Sequence, residues 1–435
     1  MRVPLAVCAT YGMIASIQPR ETEMSKKGRL AIIAGGLVLG ALPVAFAHAA
    51  KPIKIGITTE LGTIPGKAIA NGAILAADQI NAKGGINGRK IQLIIEDDHL
   101  STTDAIRSFQ RMVKQDHAVA VVGTFVSEVA LALEPWAARL HEPYLITGAA
   151  ANELSEYVHA DYKQRQYIFH AYLPAAYLAQ AVCDASKQTL VDQFHMKTAV
   201  VMSEDAAWTK PLDAGYDKCL PKVGLKVLDN IRFAPNTSDF TPIYQKIESL
   251  HPNVIIAGWA HVGVQPTVQW AEQKVPIALA GINAQAGSSV FWKATNGATE
   301  GVITGSTSAP GVAITPKTLP FTDAYQKKFG ISPAYSAYST YDAIYALAGA
   351  IGRAKSTKPL AIVDALDKTN MIGTQGRLVF QGPKSKFTHA LKYGSKYVTG
   401  VAFQWQKGVQ KCIWPLNLAN AKPVFPSFVK LPAKS

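Results

Sequence analysis

The sequence lacks the short motifs that most enzymes need. Among its 435 residues there is no GxSxG, HExxH or GxxxxGK[ST], and no GxGxxG follows a predicted strand. Because these motifs position nucleophiles, zinc ions or phosphates, their absence argues against hydrolase, metalloprotease and nucleotide-dependent chemistry. The ten histidines are scattered without metal-ligand spacing. We therefore expect a protein that is not an enzyme and that uses no metal or other cofactor.

Cysteine is also scarce, with four residues and no CxxC pair. Cys8 lies in an amino-terminal segment that we expect to be removed, which leaves Cys183, Cys219 and Cys412. An exported protein can keep disulfides, and the first two of these three fall on predicted helices beside one predicted strand (198–202). A bridge between them is one option. Spacing alone does not fix the pairing, and one cysteine stays unpaired.

Charge of either sign is sparse, at 17% of the residues, although the formal net charge is +14. A basic protein can attract nucleic acid, membrane surfaces or anionic ligands. Lysine and arginine nowhere form a run of five or six, which indicates an ordinary solvated surface. We expect no nucleic-acid partner, and a preference for anionic ligands stays open.

The amino terminus has the organisation of a secretory signal peptide. A basic segment from Met24 (MSKKGR) precedes the apolar run LAIIAGGLVLGALPVAFA and the small residues around Ala49. This order predicts export to the periplasm with cleavage near Ala49, so that residues 24–49 are the signal and 1–23 an upstream extension. A membrane anchor is the alternative, but glycine, alanine and proline dilute the run. Cleavage removes five basic and two acidic residues and leaves a net charge of +11.

The length favours two domains, and the pattern predicts an α/β fold. From Ile53 the apolar runs IKIGIT, IQLIIE, AVAVVG and PYLIT alternate with helical segments. From about Ala175 a second alternation uses KTAVVMS, KVLDNIRF, NVIIAGW and PIALAG. Strands and helices that alternate with short connections indicate a doubly wound parallel sheet. The sequence therefore predicts two such sheets, one after the other.

Ser127 stands between a predicted strand (118–122) and a helix that starts at Glu128, where a helix N-cap belongs. A strand that enters a helix through a short turn directs backbone N–H groups and a hydroxyl to the carboxyl edge of the sheet. That geometry binds carboxylates and other anions. A plain N-cap without a ligand is the alternative. The acidic cluster at 96–98 could suggest metal or acid–base chemistry, but its position between strand and helix favours a solvated capping turn.

Four segments of the chain resemble the type I periplasmic solute-binding proteins of ABC transporters. They are KIGITTELG, NGAILAADQINAKGGINGRKIQLIIEDD, VVGTFVSEVALALEPWA and PYLITGAAANEL. The branch that they resemble binds branched-chain amino acids, and the resemblance covers residues 51–415. It implies two Rossmann-like lobes joined by three crossovers that close on a small-molecule ligand, and an inner-membrane ABC permease as partner. We assign 50–170 and 304–383 to the amino-terminal lobe and 171–303 and 384–435 to the carboxy-terminal lobe, and expect a monomer.

The resemblance also implies where the ligand binds. Carried over position by position, the expected contacts are Ser127, Gly148, Ala149, Ala150, Trp208, Trp259 and Asn283. Ser127 and the turn 148–150 would hold a ligand carboxylate, and the two tryptophans would cover its apolar body. Either tryptophan could instead belong to the core, because tryptophan is usually largely buried.

Three positions depart from the amino-acid binders. Asn283 replaces the glutamate that pairs with the ligand ammonium, and no Asp or Glu lies between Lys274 and Thr299. Ala150 replaces a threonine, and Pro65 replaces an aromatic residue. A buried ammonium without a counter-charge is unfavourable, so the sequence predicts a carboxylate ligand without an α-ammonium, an aromatic or keto acid above all. An aliphatic amino acid, an amide or urea, and a ligand-sensing role in a receptor system are the alternatives.

Overall fold

The computed structural model describes residues 51–433. The predicted upstream extension and signal peptide lie outside these described residues. Within them, no helix combines the length and the apolar character that crossing a membrane requires.

The first sheet has five parallel strands in the order β2-β1-β3-β4-β5. Its strands are β1 (Ile53–Thr59), β2 (Ile91–Asp97), β3 (Val121–Gly123), β4 (Tyr144–Ile146) and β5 (Ile168–His170). Its helices are α1 (Ile64–Ala82), α2 (Thr102–Lys114), α3 (Ser127–Leu140), α4 (Glu153–Ala160) and α5 (Tyr162–Arg165). Ile55 and Ile57 of β1 are fully buried, as is typical of a parallel sheet covered by helices on both faces.

The second sheet has four parallel strands in the order β7-β6-β8-β9. Its strands are β6 (Thr198–Glu204), β7 (Lys226–Phe233), β8 (Val254–Trp259) and β9 (Ala278–Asn283). Its helices are α6 (Ala175–Ser186), α7 (Asp192–Phe194), α8 (Thr209–Cys219), α9 (Thr241–Ser249), α10 (Gln265–Glu272) and α11 (Ser289–Ala294), with a π-helical turn, Lys187–Val191, between the first two. The prediction of two successive doubly wound sheets is confirmed.

The remaining chain returns to both sheets. Its elements are β10 (Ile303–Ser306), α12 (Thr318–Phe329), α13 (Tyr335–Ala354), α14 (Pro359–Leu366), β11 (Met371–Ile372), β12 (Arg377–Leu378), β13 (Val401–Gln406) and β14 (Val409–Trp414). Helix α13 packs on α1 and β3 of the first sheet. Strand β10 lies beside β9 and pairs with β13 in a small antiparallel sheet. The chain thus passes three times between the two sheets.

The start of α3 differs from the prediction. Ser127 is the first residue of the helix, Val126 occupies the cap position, and no side chain caps the helix. The predicted N-cap role of Ser127 is therefore wrong. Its hydroxyl instead bonds outside the helix, to a neighbouring loop.

The acidic cluster after β2 forms a turn. The Oδ1 atom of Asp97 accepts from the backbone N–H of His99 at 2.9 Å, and that of Asp98 accepts from Leu100 at 3.1 Å. Asp98 is fully buried, so it is not the solvated residue that the sequence suggested. Burial, together with the charge of the nearby Glu60, raises the pKa of Asp98 to about 8.

A disulfide joins Cys183 of α6 to Cys219 of α8, which is the pairing that the sequence left as one option. The two helices pack against each other, with α8 on β6 and β8 of the second sheet and α6 on β10 and β13. Cys412 of β14 is a buried free thiol.

We expect the double variant Cys183→Ala/Cys219→Ala to unfold at lower urea concentration than the wild type. The chain-entropy relation for a separation of 36 residues gives a loss of about 4 kcal/mol in the free energy of unfolding. Dithiothreitol should lower the stability of the wild type and of a Cys412→Ala control, and leave the double variant unchanged. Equal sensitivity of all three proteins to the reductant would contradict the assignment.

Candidate ligand-binding cleft

A cavity lies where the carboxyl ends of the two parallel sheets meet. Loops that follow β3, β4 and β5 line it from the first sheet, and loops that follow β6, β8 and β9 line it from the second. The carboxyl edge is where open parallel sheets bind ligands, because each strand there ends in a loop that enters a helix. Helix α13 and strands β10 and β13 complete the wall.

Ser127 lines this cavity and ties two of its loops together. Its Oγ atom accepts hydrogen bonds from the backbone N–H groups of Ala150 and Ala151, both at 3.2 Å. A hydroxyl has two acceptor lone pairs and one hydrogen to donate. Since both lone pairs are engaged, the free capacity of the Ser127 hydroxyl is its hydrogen. The residue therefore presents a donor to whatever fills the cavity.

The turn after β4 contributes two of its three predicted residues. Gly148 and Ala150 line the cavity. A Cβ atom at position 148 would lie 3.0 Å from the Cα of Phe125, so glycine permits the close approach of the two loops. Ala149 faces away, since its carbonyl accepts from Nε2 of the buried His170 at 2.8 Å. Burial lowers the pKa of His170 to about 4, so this histidine is a neutral structural residue.

The two predicted tryptophans have different positions. Trp208 lines the cavity, and its Nε1 donates to the Oε1 atom of Glu204 at 3.1 Å. Trp259 does not line it. Trp259 is the last residue of β8, only 1% exposed, and its ring packs on Phe233 with centroids 6.2 Å apart. Trp259, which was expected to cover the ligand, belongs instead to the hydrophobic core. Ala260 and His261, which follow this strand, line the cavity.

Asn283 lines the cavity as the last residue of β9, not as part of a loop, because the strand runs two residues beyond the predicted PIALAG. Its Nδ2 donates to Oγ1 of Thr267 at 3.3 Å, and its Oδ1 accepts from the backbone N–H of Gln285 at 3.2 Å. The amide is thus oriented by the protein.

Pro65 does not reach the cavity; its carbonyl accepts from the hydroxyl of Ser336 at 2.6 Å.

Sequence reasoning missed six residues of the wall that carry aromatic rings or polar atoms: Phe125, Tyr172, His261, Ser306, Tyr335 and Phe403. The rings of Tyr172 and Tyr335 lie 4.8 Å apart, and the hydroxyl of Tyr335 donates to the carbonyl of Gly148 at 2.8 Å. The only sequence signal for any of these was the position of Phe125 in the turn after β3. The others come from segments that the fold brings together from distant parts of the chain.

Two buried glutamates hold the loops of the cleft in place. Glu60 follows β1, and its carboxylate accepts from the backbone N–H groups of Phe125 at 3.2 Å and Val126 at 3.0 Å. Glu204 ends β6 and accepts in the same way from His261 at 2.8 Å and Val262 at 3.2 Å. Each glutamate thus fixes the loop after the neighbouring strand of its own sheet. Neither lines the cavity.

His261, which lines the cavity, is paired with a buried glutamate. Its Nδ1 lies 2.6 Å from the Oε1 atom of Glu204. Burial alone would lower the pKa of His261, but the hydrogen bond to Glu204 and the charge of that carboxylate raise it above its usual value. Burial would likewise raise the pKa of Glu204, and His261 lowers it below its usual value. Each group of the pair therefore favours the charged form of the other.

The other ring nitrogen of His261, Nε2, is buried and has no hydrogen-bond partner among the described residues. The ring lies 5.2 Å from that of Phe125, so loops of the two sheets touch at this point. None of the described residues that line the cavity is Asp or Glu. In residues 51–433 no group of three or more His, Cys, Asp or Glu could hold a metal ion.

Comparison with known proteins agrees with this architecture. The family model described as periplasmic binding protein matches residues 52–394. The Leu/Ile/Val-binding protein homolog 7 of Brucella suis is 22% identical over 412 residues, which are 90% of this chain and 97% of that protein.

Two solved structures have the same type I periplasmic binding protein fold. One is a branched-chain amino acid transporter substrate-binding protein of Streptococcus pneumoniae in complex with isoleucine, with a TM-score of 0.72, 21% identity, and coverage of 82% of this chain and 97% of that one. The other is an ABC transporter solute-binding protein of Rhodopseudomonas palustris in complex with benzoate. Its TM-score is 0.71 at 18% identity, over 87% of this chain and 99% of that one.

The pair of His261 and Glu204 predicts a pH dependence of stability. A raised histidine pKa adds stability that is complete below the unfolded value of 6.5 and declines as pH rises through the folded pKa. A lowered glutamate pKa adds stability that is complete above 4.5 and declines as pH falls through the folded pKa. The stabilising effect of the pair should therefore be greatest between pH 4.5 and 6.5.

We expect urea unfolding at pH 5.5, 7 and 8.5 to show this effect as a difference between the wild type and His261→Gln. The stability advantage of the wild type should be largest at pH 5.5 and shrink towards pH 8.5. Other titrating groups are common to both proteins and cancel in the difference. An advantage that stays constant across this range would show that His261 remains neutral.

Proposed function

Because the chain belongs to the periplasmic binding protein family, we propose that it is the substrate-binding protein of a branched-chain-amino-acid-type ABC importer. We propose that its ligand is a small carboxylate without an α-ammonium group, with an aromatic or keto acid favoured. The observation that carries this proposal is that the hydroxyl of Ser127, and Nε2 of His261 when its ring is protonated, are donors without a protein acceptor in a cavity that no Asp or Glu lines. Members of this family are solute-binding proteins, so no catalytic step is involved.

The two free donors come from opposite walls. The hydroxyl of Ser127 has only its hydrogen to offer, since two backbone N–H groups occupy its lone pairs. Nε2 of His261 carries a hydrogen whenever Glu204 holds the ring protonated, and no protein atom accepts it. Hydrogen bonds from donors such as these to a carboxylate are stronger than bonds between neutral groups. A carboxylate that lies between these residues would satisfy both.

The same cavity offers little to an ammonium group. The two buried glutamates behind the cavity wall, Glu60 and Glu204, accept hydrogen bonds from backbone N–H groups, and Glu204 also accepts from Trp208 and pairs with His261. Leaving a buried ammonium without a counter-charge costs on the order of several kcal/mol. The amide oxygen of Asn283 supplies only a dipole, and one of its lone pairs is engaged by Gln285.

The apolar part of the wall suits a flat ligand. Phe125, Tyr172, Trp208, Tyr335 and Phe403 all contribute rings, and aromatic rings stack on one another with favourable edge and offset contacts. That a structural neighbour binds benzoate supports this choice. That another neighbour binds isoleucine makes an aliphatic amino acid the main competing ligand, and an amide or urea the second.

We propose that residues 50–170 with 304–383 and residues 171–303 with 384–435 form two lobes that close on the ligand. The contact of Phe125 with His261 would then be a contact across the closed cleft. A second would be the bond from the backbone N–H of Ala207 to Oε1 of Glu128, at 2.6 Å. Residues 24–49 would direct export to the periplasm, and the protein would deliver its ligand as a monomer to an inner-membrane ABC permease.

The ligand class predicts the outcome of a thermal-shift and calorimetric panel. Benzoate and phenylglyoxylate should raise the melting temperature, since a ligand at 100 times its Kd adds about 2.7 kcal/mol of stability. Leucine, which has the ammonium, and benzamide, which lacks the carboxylate, should leave it unchanged. A shift with leucine and none with the two acids would contradict the proposed selectivity.

The role of Ser127 predicts a specific loss of affinity. Ser127→Ala removes one donor to a charged acceptor, which is worth about 1.5–3 kcal/mol, so benzoate should bind about 10- to 150-fold more weakly. Ser203→Ala is the matched control, because Ser203 is an equally buried serine whose hydroxyl donates to Asp213 at 2.6 Å, away from the cavity. Equal affinities of the two variants would contradict the assignment of Ser127.

A further inference from the structure

One ring nitrogen of His261 has its hydrogen fixed by the protein, and the other does not. Nδ1 lies 2.6 Å from the Oε1 atom of Glu204. Burial opposes the ionisation of Glu204, but His261 keeps the pKa of this carboxyl below its usual value. An ionised carboxylate only accepts hydrogen bonds, so Nδ1 carries a hydrogen. The hydrogen that His261 gains or loses is therefore the one on Nε2.

Nε2 is also the ring nitrogen that is left for a ligand. It is buried and has no hydrogen-bond partner among residues 51–433, and His261 lines the cavity. With a hydrogen, Nε2 is a donor; without one, it is an acceptor. A carboxylate ligand has acceptor oxygens only, and beside a bare Nε2 it would place lone pairs against a lone pair. The protonation of Nε2 thus decides whether this part of the wall attracts or repels an acid.

The surroundings of the ring are acidic on both sides of the cavity. Burial lowers the pKa of His261, but the hydrogen bond and charge of Glu204, together with the charges of Glu128 and Glu60, raise it above its usual value. Glu204 belongs to the second sheet, whereas Glu60 follows β1 and Glu128 lies in α3 of the first. Like charges in proximity disfavour one another. An acid ligand would add one more negative charge here, and a proton on His261 would offset it.

We propose that the cleft binds its acid together with a proton, which His261 takes up from solvent at Nε2. The only covalent change is the new N–H bond, whose hydrogen the ligand carboxylate then accepts. Ligand and proton favour each other's binding, so the affinity for the acid depends on pH. This inference rests on the proposed function, because it takes a carboxylate ligand as given. It adds how binding at that site is regulated.

The test is a calorimetric titration of benzoate into the mature chain between pH 5.5 and 8.5, in pairs of buffers with different ionisation enthalpies. Carboxylic acids titrate near pH 4, at about the pKa of Asp and Glu, so benzoate stays ionised throughout. Below the pKa of His261 in the free protein, the Kd should be constant. Above it, each bound benzoate takes up a proton, so the Kd should rise about tenfold per pH unit and the heat should depend on the buffer.

His261→Gln keeps an N–H donor but does not titrate. In this variant benzoate should bind with a Kd that does not change with pH, and without proton uptake. His159→Gln is the matched control, because His159 is an exposed histidine of α4 that does not line the cavity. It should keep the pH dependence of the wild type.

Glu128→Gln decides the matter if His261→Gln does not fold. The substitution removes one of the charges that raise the pKa of His261 and keeps an oxygen that can accept from the backbone N–H of Ala207. The rise in Kd should therefore begin at lower pH than in the wild type. An unchanged onset would contradict the assignment to His261.

The outcomes separate the two proposals. Proton uptake that His261→Gln abolishes and His159→Gln keeps would support the inference. A Kd that is constant from pH 5.5 to 8.5 would overturn it and leave the carboxylate function standing. Proton uptake that survives in His261→Gln would also overturn it and assign the proton to another group, first of all Glu60, whose pKa burial raises. Failure of benzoate and phenylglyoxylate to bind at any pH would overturn the proposed function itself.

Discussion

The cleft depends on two buried carboxylates that bind the protein's own backbone. Glu60 and Glu204 stand at the carboxyl ends of β1 and β6, each beside the strand whose following loop it holds. A loop at the end of a parallel strand leaves N–H groups unpaired, and burying them without partners is costly. The glutamates supply those partners in both sheets. The positions of Phe125, Ser127 and His261, and therefore the shape of the site, follow from these bonds.

This arrangement also determines the charge that a ligand meets. Burial raises the pKa of Glu60, and the N–H groups of Val126 and Phe125 lower it again in part. Glu204 has the stronger partner in His261, and its pKa ends below the usual value. The carboxylate of Glu204 thus favours the protonated form of His261, whose ring lines the cavity. A glutamate that holds a loop in place therefore also favours hydrogen-bond donation from the cavity wall.

The sequence was sufficient for the fold and for part of the cavity wall. Apolar strands that alternate with helices identified both sheets, and the resemblance located Ser127, Gly148, Ala150, Trp208 and Asn283, all of which line the cavity. The sequence was insufficient at the ends of strands, where the exact last residue determines which side chains face the cavity. Successive residues of a strand point to opposite faces, so an offset of one residue exchanges Trp259, which is in the core, for Ala260. Strand β9 runs two residues further than predicted, so Asn283 lines the cavity from the end of a strand and not from a loop. His261 and Tyr335 left no local signal, because only the tertiary fold brings them to one place.

The disulfide between Cys183 and Cys219 has a consequence for selectivity. Helix α6 contributes Leu178 to the cavity wall, and α8 begins directly after Trp208, which also lines the cavity. A covalent bond between these helices limits how far Leu178 and Trp208 can move apart. The distance between these two parts of the wall is therefore constrained from the moment the thiols are oxidised, before any ligand binds.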